Sequence, residues 1–138
     1  LHKEYRRQRQ MCIRDRFTTL DLCNINLANA RMKLIKYGAN PSYHIRSGMV
    51  EKIATNSLPV GVVSKLKMVS YEMPLKNNDL IIMSSDGTGN DFEQIVNDNV
   101  HLYCDQHPQE IATFLMDQVL EKNNLDDISI IVIKVVNN

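Results

Sequence analysis

The sequence predicts an α+β domain built around a large, mostly antiparallel sheet system. Three observations carry that expectation: short strand-like segments punctuated by turn residues fill 18–84, helical spacing begins only after Gly89, and a β-branched run, ISIIVIKVV at 128–136, closes the chain. Strands in succession and then helices point to layered α+β architecture rather than to alternating βα units. At 138 residues the chain suits one domain, or a piece of one. With 43% apolar and 23% charged residues it is neither a disordered tail nor a low-complexity sequence.

TLDLCNINL at 19–27 alternates, with Leu20 and Leu22 on one face and Asp21, Cys23 and Ile25 on the other. Ala28-Asn29-Ala30 then turns the chain into MKLIKYG, which predicts a first hairpin. Ser47-Gly48 separates SYHIR from MVEKIA and predicts a second, because glycine after serine tolerates the positive φ of a tight turn. The segment from Ser57 to Gly61 breaks the pattern, since proline removes a ladder donor. KMVSYEM follows as a strand, Pro74 to Asn78 as a turn, and DLIIMSS as a central strand buried on both faces.

Past Gly89, Phe92, Ile95, Val96, Val100 and Tyr103 recur at helical spacing. Asn97, Asp98 and Asn99 interrupt that helix with weak helix formers. His107-Pro108-Gln109-Glu110 opens a better one, with proline in the first turn and Ile111, Phe114, Leu115 and Val119 on one side. Met73, Met83 and Met116 read as core filler.

The net charge of zero conceals an asymmetry. Residues 1–16 hold Lys3, Arg6, Arg7, Arg9, Arg14 and Arg16 against Glu4 and Asp15, leaving ten basic and fourteen acidic residues in the remainder. Met11 to Arg16, MCIRDR, resembles the translated end of a sequencing-library adaptor, so 1–16 is read as adaptor-derived or disordered and is set aside from the fold. A solvated basic helix is the alternative, and nucleic-acid binding is not expected, because Tyr5 is the only aromatic available there for stacking. No apolar run approaches the length of a membrane span and no leader pattern opens the chain, so the expected location is cytoplasmic. Cys12, Cys23 and Cys104 stand far apart without a CxxC pair and read as reduced, mostly buried thiols, with no base to make Cys104 a nucleophile.

Two acidic sites stand at the ends of apolar strands. Ser84-Ser85-Asp86-Gly87 closes the IIM strand, and Asp126-Asp127 precedes the final strand. A carboxylate at a strand end beside a glycine turn is held in direction yet open to a hard cation. If the two strands are neighbours, Asp86 and Asp126 converge at one sheet edge, and two carboxylates there call for a metal. DGTGND fails the calcium-loop template, which needs acids at alternate positions before its glycine. No ligand role is assigned to His44, His101 or His107.

The order GANPSYHIRSG, SLPVGV, LKNNDLIIMSSDG, PQEIATFLMDQVLEK, LDDISIIVIKV resembles the metal-dependent PPM (PP2C-like) serine/threonine phosphatases, and within them the sporulation phosphatase type. The resemblance spans nearly all of 18–138. It implies that residues 17–138 form the C-terminal half of a PP2C-like α-β-β-α sandwich. It further implies that Asp86 and Asp126 are metal ligands with Asp127 adjoining, that Gly87 is a structural turn residue, and that two Mn²⁺ or Mg²⁺ ions activate the attacking water. The implied substrate is phosphoserine or phosphothreonine on a phosphorylated anti-anti-sigma factor-like protein. A homodimer of the complete protein and membrane anchoring of a longer parent are compatible with it. The family's two earlier acidic motifs have no counterpart upstream of Asp86, and relatives often carry a glutamate after the SDG segment where Asp91 is the nearest acid here. The chain alone is therefore expected to be inactive. The alternative reading is a catalytically inactive PPM-like module that binds a partner.

Overall fold

A computed structural model of the chain describes residues 18–62, 68–122 and 126–137. Segment 1–16 and its expected boundary lie outside the described residues.

The first hairpin joins β1 (Leu20–Asn26) to β2 (Arg31–Tyr37), antiparallel from Leu20 opposite Tyr37 to Asn26 opposite Arg31. Its turn is closed by side chains. The Asn26 amide oxygen accepts from the Ala28 N–H at 2.9 Å and that of Asn29 from the Arg31 N–H at 3.2 Å, the local bonds that make asparagine a turn residue. β5 (Ser70–Pro74) pairs with the other side of β2, completing a three-stranded sheet β1-β2-β5. Pro74 was expected in the following turn; it is instead the last residue of an edge strand, where its missing donor costs no ladder bond.

The second hairpin joins β3 (Ser42–Arg46) to β4 (Met49–Ile53). Ser47 and Gly48 have φ of 50° and 76°, the paired positive values that a two-residue turn needs to match strand twist. β6 (Leu80–Ser84) lies between β3 and β7 (Ile130–Lys134), giving a four-stranded sheet β4-β3-β6-β7 in which every pairing is antiparallel.

The central place of β6 follows from its sequence. Ile81 and Ile82 are both fully buried, although adjacent strand residues face opposite ways. Ile81 and Met83 join Met32, Leu34, Ile53 and Leu75 in the core between the two sheets. Leu80 and Ile82 join Tyr43, Ile45 and the helices in the core on the other face. The result is three layers: sheet, sheet, helices.

The helical layer contains α1 (Phe92–Asp98) and α2 (Pro108–Leu120). As expected, α1 breaks early: the Asn99 side chain donates back to the Ile95 carbonyl at 2.8 Å, and a 3-10 turn, Val100–Leu102, follows. His107 caps α2 through a reciprocal box, its Nδ1 accepting from the Gln109 N–H at 3.2 Å while Glu110 reaches back to the His107 N–H. Ile111, Leu115 and Val119 are its buried stripe, and Phe114 lies half-buried on the flank. Among the described residues no helix is long and apolar enough to cross a membrane.

Candidate metal centre

β6 carries the chain out of the core to Asp86. Ser85 continues extended, with φ −74° and ψ 166°, and Asp86–Thr88 then form one 3-10 turn closed by Gly89 at φ 78°. The Thr88 and Gly89 N–H groups bond back to the Ser85 and Asp86 carbonyls, and the Thr88 hydroxyl donates to the Ser85 carbonyl at 3.0 Å. Gly87 and Thr88 are thereby buried while Asp86 is exposed, so a rigid turn presents the carboxylate to solvent.

β7 brings the second acidic turn alongside. Ser84 pairs with Ile130 at the end of the ladder, and the ladder is prolonged by Ser85, whose N–H donates to the Ser129 carbonyl at 2.9 Å and whose hydroxyl accepts from the Ser129 N–H at 2.9 Å. Two residues before Ser129, the Asp127 carbonyl packs on Gly87. Asp126 Oδ1 accepts from the Asp127 N–H at 2.9 Å, and both aspartates are exposed. The neighbouring of β6 and β7, on which the convergence of Asp86 and Asp126 depends, is therefore present, and it sets the two acidic turns side by side.

Two clefts meet at Asp86. One, of about 240 Å³, opens between the sheets, with Met83 and Ile131 as apolar wall and Asp21, Asn40 and Ser129 as polar edge. The other, of about 290 Å³, runs toward α1 past Tyr43, Lys52, Asn90 and Glu93. Asp126 and Asp127 line neither of these two clefts.

The donors are all carboxylate oxygens, the chemistry of a hard divalent cation such as Mn²⁺ or Mg²⁺. Gly87 fits the same use, because the space its missing side chain leaves is what lets the two acidic turns abut. Among the described residues no group of three or more His, Cys, Asp or Glu side chains is placed to hold a metal. Asp86, Asp126 and Asp127 thus fit such a cation in kind, but they do not form a group placed to hold one by themselves.

The described thiols are less buried than expected, Cys23 half-buried on the edge strand β1 and Cys104 exposed in the loop before α2. Other polar residues take structural places. Asp91, the nearest acid after the SDG segment, is exposed and pairs with Lys122 at 3.5 Å. His44 is buried, its Nε2 at 3.0 Å from Asp79 Oδ2, while Arg46 donates to both Asp79 oxygens at 2.9 and 2.6 Å and the Lys76 N–H adds a bond at 2.9 Å. Burial works to raise the Asp79 pKa but is outweighed by Arg46, the Lys76 amide and His44, which hold it at about 2. Lys36 is fully buried with its ammonium 2.8 Å from both Asp21 oxygens, and burial lowers its pKa against the pull of Asp21. Sequence reasoning missed these two buried clusters and also Asn40, whose amide donates to the Ser85 carbonyl at 2.9 Å. The available signal was the inward phase of Lys36 in MKLIKYG.

A sequence profile of the stage II sporulation protein E (SpoIIE) family matches residues 1–136. Stage II sporulation protein E of Bacillus subtilis strain 168 is 30% identical over 131 residues, an alignment covering 88% of this chain and 16% of that protein. The manganese-presoaked phosphatase domain of the cell fate determinant SpoIIE from Bacillus subtilis superposes with a TM-score of 0.73 at 28% identity, covering 88% of this chain and 58% of that one. The catalytic domain of the serine threonine protein phosphatase PstP, in complex with two manganese ions, superposes at a TM-score of 0.72 with 17% identity, over 94% of this chain and 65% of that one. The fold is that of PP2C phosphatase domains, and the chain spans less than two thirds of each of these proteins.

Proposed function

This chain belongs to the stage II sporulation protein E family, and on that premise we propose that it forms part of a metal-dependent protein phosphatase domain hydrolysing phosphoserine or phosphothreonine on a regulatory protein. The observation that carries this reading is the locking of the Asp86 turn to the Asp126-Asp127 turn at the neighbouring ends of β6 and β7.

In this reading Asp86 and Asp126 are metal ligands, with Asp127 adjoining. A bound pair of Mn²⁺ or Mg²⁺ ions would supply a more acidic attacking water and neutralise charge on the phosphoryl oxygens. The chain's own contribution is placement. The 3-10 turn fixes the direction of Asp86, and the Ser85–Ser129 bonds hold it in register with the β7 turn. The substrate's phosphoryl group approaches Asp86, with the flanking peptide along the polar cleft past Lys52 and Asn90. The substrate class we favour is a phosphorylated anti-anti-sigma factor-like protein, and the remaining metal ligands belong to parts of a complete domain beyond this chain.

The test is Mn²⁺ binding followed by electron paramagnetic resonance, together with turnover of a phosphoserine peptide. The 138-residue chain is expected to bind Mn²⁺ weakly, to lose that binding on Asp86→Ala, and to show no turnover. A longer family protein carrying this segment is expected to turn the peptide over only with metal and only with Asp86 and Asp126 intact. A longer protein that binds a partner but is inactive with both acids present would favour the non-catalytic module. Metal-dependent turnover by this chain alone, abolished by Asp86→Ala, would show that its site is complete.

A further inference from the structure

Asn40 stands in the short loop between β2 and β3, where the three-stranded sheet hands the chain to the four-stranded one. Its side-chain amide donates to the Ser85 carbonyl at 2.9 Å, one residue before Asp86. That carbonyl also accepts the Thr88 N–H and hydroxyl, so Asn40 adds a clamp from outside to a turn otherwise closed on itself.

The loop that aims Asn40 is fixed at several points. Lys36, fully buried, donates to the Asn40 carbonyl at 2.8 Å with the same ammonium that holds Asp21. Gly38, at φ +59°, presses on Pro59, where a Cβ would come within 2.6 Å of the proline ring. The Ser57 hydroxyl donates to the Lys36 carbonyl at 2.8 Å, and Pro41 stiffens the exit into β3. A buried lysine carries a desolvation cost that a solvated surface position avoids, so its ammonium is held here by three oxygen acceptors.

We propose that Asn40, held by the buried Lys36–Asp21 pair, is a positioning residue that fixes the Asp86 turn for metal binding. The metal-binding half of this statement rests on the phosphatase reading above. The clamp itself does not.

Two variants separate a donor role from a packing role. Asn40→Ala removes the side chain, and Asn40→Asp keeps its shape but replaces the donating amide with an acceptor that faces another acceptor. Amide hydrogen exchange is measured without metal, followed by Mn²⁺ affinity. Loss of one such bond is expected to speed exchange at the Thr88 and Gly89 amides by up to about tenfold in both variants. Exchange at Ile81 and Ile82 in the centre of β6 should stay as in the parent. Mn²⁺ affinity of Asn40→Ala should fall by a similar factor. Asn40→Asp is judged on exchange alone, since its added charge attracts cations directly.

Parent-like exchange at Thr88 and Gly89 in both variants would overturn the proposal, and so would acceleration spread equally to Ile81 and Ile82. Should the parent bind no Mn²⁺, the phosphatase reading fails, while the exchange comparison still decides whether Asn40 holds the turn.

Discussion

Gly87 and the Asp127 carbonyl lie in direct contact, so that a Cβ on Gly87 would collide with that oxygen, come within 2.9 Å of the Asp127 carbonyl carbon and within 3.3 Å of Ile128 Cγ1. Gly87 is not among the glycines of positive φ, unlike Gly89 two residues on. Proximity, not backbone freedom, is what requires glycine here, and the partner that approaches is the second acidic turn.

Gly87→Ala must therefore push the Asp86 and Asp126-Asp127 turns apart or strain both. Overpacking of this kind costs about 1–3 kcal/mol. Chemical denaturation should show that loss, and Mn²⁺ affinity should fall with it. Full stability and full affinity in the alanine variant would mean that the two turns are independent.

Asp79 sets a second expectation, for acid. Its pKa is held at about 2 against an ordinary 3.8, so its ionised form is favoured by folding. Stability from this group is complete above about pH 4 and is lost as the pH falls through the folded value near 2. The groups that face it are the Arg46 guanidinium and the His44 imidazole, with Glu51 at 3.5 Å from the far side of that ring. Denaturation midpoints at pH 5 and pH 2.5 should diverge more in the parent than in Asp79→Asn. Equal divergence would place the acid sensitivity elsewhere.

Much of this architecture could be read from residue order. β6 was legible because apolar residues on both phases of a strand leave it nowhere to go but the centre, and the Ser47-Gly48 hairpin because its turn chemistry is local. The meeting of the acidic turns needed only that β6 and β7 be neighbours. The Lys36–Asp21 and His44–Asp79–Arg46 clusters were not legible, because each joins residues 15 to 35 positions apart whose pairing depends on strand register. A lone inward lysine in MKLIKYG is ambiguous until Asp21 is known to face it. Asn40 was invisible for the same reason, its partner Ser85 lying 45 residues away just past the end of β6.

His107 supplies a local control. Its Nδ1 closes the first turn of α2 away from the acidic turns, and replacing such a cap by alanine costs about 1 kcal/mol. His107→Ala should lower the melting temperature while leaving Mn²⁺ affinity at the parent value. A loss of affinity would show that α2 supports the site through the helical layer.

Asp91 and Asp126 are rival partners for Asp86. In sequence Asp91 is the nearer acid, five residues on, while Asp126 is forty away. In the fold Asp91 precedes α1, is exposed and pairs with Lys122 at 3.5 Å, a surface arrangement that contributes about 0–1 kcal/mol. Asp126 instead stands beside the carbonyl that packs on Gly87, at the end of the strand paired with β6. Asp91→Asn should leave Mn²⁺ affinity unchanged and stability within about 0.5 kcal/mol of the parent. Asp126→Asn should weaken Mn²⁺ binding, and combining it with Asp86→Ala should cost less than the sum of the two single losses, because both act on one ion. If Asp91→Asn weakened binding while Asp126→Asn did not, the ion would sit on the α1 side of β6, and the pairing of Asp86 with the β7 turn would be wrong.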